Sequence, residues 1–75
     1  MTTLLNTRNI EECFNAKLFV VAKGEENERY GVWVSRVNSK NAYGIYSGSY
    51  KRAEQCFNDV TGEELENLFN RKNLK

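Results

Sequence analysis

The sequence predicts a single α+β domain over residues 1–75: a three-stranded antiparallel meander (17–23, 29–37 and 42–47) with a short N-terminal helix and two C-terminal helices packed on one face. Three observations predict it. Arg29 to Val37 alternates between two faces, as a strand does. Apolar and aromatic runs flank that stretch, each separated from it by a polar turn. From Ser49 onward apolar residues recur at i, i+3 and i+4, the spacing of one helical face.

In chain order, Met1 to Asn6 reads as a frayed or loosely docked end. Asn9 caps a short helix with Glu12 as its capping-box partner, and Ile10, Cys13 and Phe14 share one helical face, so the first helix runs from about Asn9 to Ala16. Leu18-Phe19-Val20-Val21 is apolar on both faces and rich in strand formers, which makes it the heart of the first strand. Gly24 to Glu28 is a charged turn with the Gly a reversal often needs.

In the middle strand Tyr30, Val32 and Val34 point one way and Trp33, Ser35 and Val37 the other. Asn38-Ser39-Lys40-Asn41 forms the second turn. If Val37 sits opposite Ala42, then Val34 faces Ile45 and Trp33 faces Tyr46. Ser49 caps a helix in which Tyr50, Ala53, Cys56 and Phe57 share a face. Thr61 and Glu64 form a capping box with Val60 and Leu65 as its hydrophobic staple, so the last helix runs from about Gly62 to Lys72. Its acidic residues lie near the positive end of the helix dipole and Arg71 and Lys72 near the negative end, while Leu65, Leu68 and Phe69 bury.

Ile10 to Asn15, Ala53 to Asn58 and Leu65 to Asn70 share one form: apolar, Glu, polar, Cys or Leu, Phe, Asn. The plain reading is three amphipathic turns, each presenting a Phe to one core. A duplicated unit is the sharper alternative.

Composition narrows the function classes. A chain of 75 residues buries a small core, which leaves little apolar material for an enclosed substrate pocket. The net charge of +1 excludes a strongly acidic nucleic-acid mimic and gives no overall basic field, although a local basic patch remains open. There is no His, hence neither the usual general base nor the commonest metal ligand. Two Cys cannot by themselves make a four-ligand zinc site. No apolar run reaches membrane-spanning length and Met1 to Asn6 lacks the pattern of a secretory signal, so the expected location is the cytoplasm. There Cys13 and Cys56 read first as reduced, buried small hydrophobes, with a disulfide as the alternative. Asn-rich composition without Pro or His fits an AT-rich bacterial or phage gene.

Catalytic patterns are weak. Glu11-Glu12, Glu25-Glu26 and Glu63-Glu64 are adjacent pairs whose side chains diverge, with no apolar surroundings to raise a pKa. A Cys nucleophile would need a base from Lys or Glu. Gly44-x-x-x-Gly48 lacks the Gly-Lys-Ser/Thr of a phosphate loop. The expectation is a non-enzyme with no cofactor and no small-molecule substrate.

A binding surface is the better reading. With Val32, Val34 and Ile45 under the helices, Trp33 and Tyr46 are left side by side on the other face with Arg29. The candidate partner-binding residues are Trp33, Tyr46, Arg29, Arg36 and Lys40. Trp and Tyr over-contribute to interface hot spots, and aromatic platforms flanked by Arg stack nucleic-acid bases. The competing structural reading packs Trp33 over Gly31 and Gly44, or under the N-terminal segment.

The run Tyr43 to Asn58 resembles the Leu-Gly-x-Phe-x-Thr-x-x-x-Ala-x-x-Ala-Tyr pattern of ethylene-response-factor DNA-binding domains and related phage integrase arm-binding domains, with one residue inserted. The resemblance extends over residues 30–58. It implies a three-stranded sheet backed by a helix and DNA contact through the sheet, with Gly44 and Tyr46 on the third strand and Ala53, Cys56 and Phe57 on the buried helix face. The same stretch is similar, more loosely, to the end of a double-stranded-RNA-binding domain, where Ser49, Lys51 and Ala53 match a helix start. Two functions are therefore expected. One is a phage or mobile-element type of inhibitor or adaptor that binds a bacterial protein or ribonucleoprotein complex in an anti-defence, anti-CRISPR-like role. The other is a small module that binds DNA or RNA.

Overall fold

In the computed structural model, which describes residues 2–73, the chain opens on a β-hairpin and not on a helix. Strand β1 (Thr2–Ile10) pairs antiparallel with β2 (Phe14–Val21) from Thr2 opposite Val21 to Ile10 opposite Phe14. This corrects the helix expected from Asn9 to Ala16. The predicted hydrogen bond is present, since the Asn9 side chain accepts the Glu12 N–H at 3.0 Å, but it closes a reversal. Glu11 and Glu12 have φ of 52° and 61°, the pattern of a type I′ turn, whose twist matches that of paired strands. Ile10 and Phe14 still share a buried face, now as cross-strand partners. The end expected to fray is strand from Thr2 onward, and Met1 lies outside the described residues.

Strands β3 (Arg29–Arg36) and β4 (Tyr43–Gly48) complete an antiparallel sheet of order β1-β2-β3-β4, one strand more than expected. Helices α1 (Tyr50–Asp59) and α2 (Gly62–Arg71) follow. Their caps are those expected. Ser49 accepts the Arg52 N–H, while the Thr61 hydroxyl accepts the Glu64 N–H at 3.2 Å and donates to the Glu64 carboxylate at 3.3 Å. Val60 and Leu65, the predicted staple, are both buried.

Alternation decides which side of the sheet the helices cover. Phe14, Ala16, Leu18 and Val20 of β2 and Val32 and Val34 of β3 are all buried on one face, against Ala53 and Phe57 of α1 and Leu65 and Phe69 of α2. The neighbouring odd-numbered residues point to the other face, which no helix covers.

The hairpin is tied to both helices. One Arg8 guanidinium nitrogen donates to the carbonyls of Phe57 at 2.7 Å and Val60 at 3.0 Å, where α1 ends and its carbonyls lack intrahelical partners. At the start of α2, the Glu11 carboxylate fills the space that a Cβ on Gly62 would need, so the positive end of the helix meets a negative charge. Gly62 is therefore required by close approach. Arg36 makes a third link, since its guanidinium lies over the rings of Phe14 and Phe69 and reaches both carboxylate oxygens of Glu66 at 3.2 and 3.3 Å.

Candidate functional site

The helix-free face takes its character from an apolar stripe that crosses the strands. Leu4 of β1 pairs with Phe19 of β2, and the Phe19 ring lies 4.7 Å from that of Trp33 in β3, tilted by 45°. On the β4 side the indole rests on Gly44, where a Cβ would stand 3.3 Å from its Cδ1 and Nε1 atoms. Trp33 keeps 40% of its surface exposed and Leu4 keeps 49%. The indole thus has packed neighbours on two sides and a free upper surface. Trp33 packs over Gly44, as the structural reading expects, and still leaves part of its indole exposed.

Charge sets this face apart. All ten carboxylate side chains fall in turns and helices, and among the described residues the four strands contain none. The strand positions on the helix-free face carry Lys17, paired with Trp33, and Arg29, paired with Val21. Around them lie the uncharged polar residues Thr7, Asn9, Asn15, Ser35 and Ser47. Lys17 and Arg29 are exposed. A face of this kind meets an apolar or anionic surface without burying a carboxylate.

The structure separates the predicted site residues. Trp33 and Arg29 share the helix-free face, as expected. Tyr46 does not join them, because the register between β3 and β4 shifts between Val32 and Trp33. Val32 pairs with Tyr46, Trp33 with Gly44 and Val34 with Tyr43, so the predicted pairs Trp33–Tyr46 and Val34–Ile45 are corrected. Ile45 is the extra residue of a β-bulge, and one extra residue moves every side chain beyond it to the opposite face. Tyr46 accordingly packs toward the core. Arg36 points to the helices and is engaged by Glu66, and Lys40 is exposed in the turn between β3 and β4. Sequence reasoning missed Phe19 and Leu4 as platform residues. The two-sided apolar character of Leu18 to Val21 was the signal for Phe19.

The cysteines differ from expectation as well. Both are free thiols, but Cys13 is exposed, as the last residue of the hairpin turn and not a member of a helical core face. Cys56 is half-buried in an open groove with Ile45, Leu65 and Leu68, and its thiol pKa is pushed up by burial, then by the charges of Glu64 and Asp59. Raised pKa means less thiolate at a given pH. Native-state labelling should therefore show one fast thiol, removed by Cys13→Ser, and one slower, with both reacting equally once unfolded. Equal protection of both in the native state would contradict the hairpin placement of Cys13.

Among the described residues no group of three or more Cys, Asp or Glu is placed to hold a metal ion, and no helix is long and apolar enough to cross a membrane. Comparison of the chain with protein-family models, curated proteins and solved structures finds no match.

Proposed function

We propose that this chain is a non-catalytic binding protein, an inhibitor or adaptor of the phage or mobile-element type, that lays the helix-free face of its sheet on a bacterial protein or nucleoprotein complex. The observation that carries this reading is the Leu4–Phe19–Trp33 stripe, half-exposed on a face whose strands hold no carboxylate. Rigid aromatic side chains on strands supply contact area at low conformational cost, and a Trp held from two sides is already ordered before it binds.

A capture experiment from bacterial lysate tests the proposal, with wild type and Trp33→Ala compared side by side. The substitution should weaken capture by about 2 kcal/mol, the size of an aromatic hot spot. It should lower stability by only about 1 to 2 kcal/mol, since the indole loses one aromatic pair and part of its burial. Capture indifferent to Trp33→Ala in a folded variant would remove the sheet face from the function.

The second reading is a nucleic-acid-binding module, which Lys17 and Arg29 favour as the two strand charges on the platform face. Nuclease treatment and ionic strength separate the two. A complex held by phosphate contacts weakens steeply with salt and is lost with nuclease, whereas an aromatic protein interface persists.

A further inference from the structure

The indole of Trp33 lies down on the sheet. A Cβ on Gly44 would stand 3.3 Å from its Cδ1 and Nε1 atoms, and one on Gly31 would stand 3.8 Å from Nε1, so two positions without side chains form the floor beneath it. Phe19, paired with Gly31 across the strands, closes one flank at 4.7 Å between ring centroids. The ring face that remains is the outer one, and 40% of the residue is exposed. Two cations bracket this aromatic pair. Lys17 stands opposite Trp33 and Arg29 opposite Val21, on either side of the Phe19–Gly31 rung. Four residues of strand separate the two rungs, roughly 13 Å. Both cations are exposed, and among the described residues neither is paired with a carboxylate.

We propose, building on the reading of this face as the partner site, that it takes a single-stranded polynucleotide, with a base stacked on the outer face of Trp33 and neighbouring phosphates on Lys17 and Arg29. An aromatic face selects a single strand, because in a duplex both faces of every inner base are already covered. Duplex binding also relies on many phosphate contacts, and two cations in a chain of net charge +1 neutralise few of them. An acidic polypeptide would satisfy the two cations and leave the ring without a planar partner. Ser35 and Ser47 on the same face offer donors and acceptors to base edges.

The chain has a single Trp, so its fluorescence reports on this face alone. An oligothymidylate of about ten nucleotides should quench it at low salt. A duplex of the same length and a polyglutamate peptide should act only at much higher concentration. The logarithm of the binding constant should fall with the logarithm of salt concentration at a slope of about −1.4, the value for two phosphates of a single strand. Lys17→Gln and Arg29→Gln should each bring that slope to about −0.7. Lys51→Gln, on α1, should leave it unchanged. Followed by the anisotropy of a labelled oligothymidylate, Trp33→Leu should bind about tenfold more weakly. An unquenched indole, an equal response to duplex or polyglutamate, a slope indifferent to Lys17→Gln and Arg29→Gln, or a folded Trp33→Leu that binds as wild type does would each overturn the proposal. In that event, lysate capture that still needs Trp33 would leave the face as a protein site, whereas capture indifferent to Trp33 would remove the face itself.

Discussion

Replacing Phe69 by Ala should destabilise the protein by about 3 to 5 kcal/mol, a large fraction of the stability of a domain this small. The ring has no solvent exposure and is held at 5.4 Å from Phe14 and edge-on at 5.5 Å from Tyr43. It thereby joins α2 to β2 and to β4, with the Arg36 guanidinium over the ring. Truncation opens a cavity bounded by two aromatic rings that are themselves fixed by their strands, so the site has little freedom to collapse. The Arg36–Glu66 pair does not replace this anchor, since both side chains are partly solvated and such pairs contribute little. Urea denaturation measures the effect. A midpoint shift equivalent to less than about 1 kcal/mol, with α2 still helical, would mean that α2 is held by something other than Phe69.

Removing the Arg8 side chain should cost about 2 to 3 kcal/mol, an unusual penalty for a polar residue on an edge strand. Its guanidinium serves two carbonyls at the C-terminal end of α1, and those oxygens would be left in a part-buried site without a donor. Arg8→Ala also removes a positive charge from the negative end of the helix dipole. Arg8→Lys keeps the charge and a nitrogen with donors for both carbonyls, but an ammonium is more strongly hydrated and less preorganised than the planar guanidinium, so it should recover only part of the loss. Equilibrium unfolding of the two variants distinguishes these contributions. An Arg8→Ala protein as stable as wild type would show that the hairpin does not cap α1.

The parts of the fold legible in the sequence are those whose local pattern has one physical solution. Thr61 and Glu64 before an apolar helical face make a capping box, and the structure has one there. The alternation around Trp33 likewise assigned Trp33, Arg29, Val32 and Val34 to their observed faces. β1 was not legible. Along Thr2 to Asn9 no residue is fully buried, because α1 packs on β2, β3 and β4 and leaves most of the edge strand uncovered, so there is no alternation of burial to read.

Asn9 and Glu12 misled for a different reason, since an Asn side chain that accepts a backbone N–H three residues on caps a helix and closes a turn equally well. The six-residue form shared by Ile10–Asn15, Ala53–Asn58 and Leu65–Asn70 makes the same point, for it is a hairpin reversal in the first case and helix in the other two. At the candidate site, the absence of Tyr46 from the Trp33 face rests on a single bulged residue, Ile45, while Phe19 reaches Trp33 independently from the β2 side. No propensity or periodicity marks a bulge when both neighbouring registers present an aromatic residue.

The ties from the hairpin to the helices bear on how the chain assembles during synthesis. Arg8 finds its carbonyls 49 and 52 positions later, and Glu11 meets Gly62 across a similar span. Closing a flexible loop of that length costs roughly 3 kcal/mol beyond a constant, and nothing is returned until both ends are in place. The hairpin therefore leaves the ribosome with a cation that has no acceptor and a turn that has no helix to lean on. It must wait for the remainder of the sheet to bring α1 and α2 across it. Its abundance of Thr and Asn suits that interval, because a nascent hairpin of this polarity stays hydrated while its buried face is still open. The contacts that hold the hairpin to the helices thus form only after the helices that accept them.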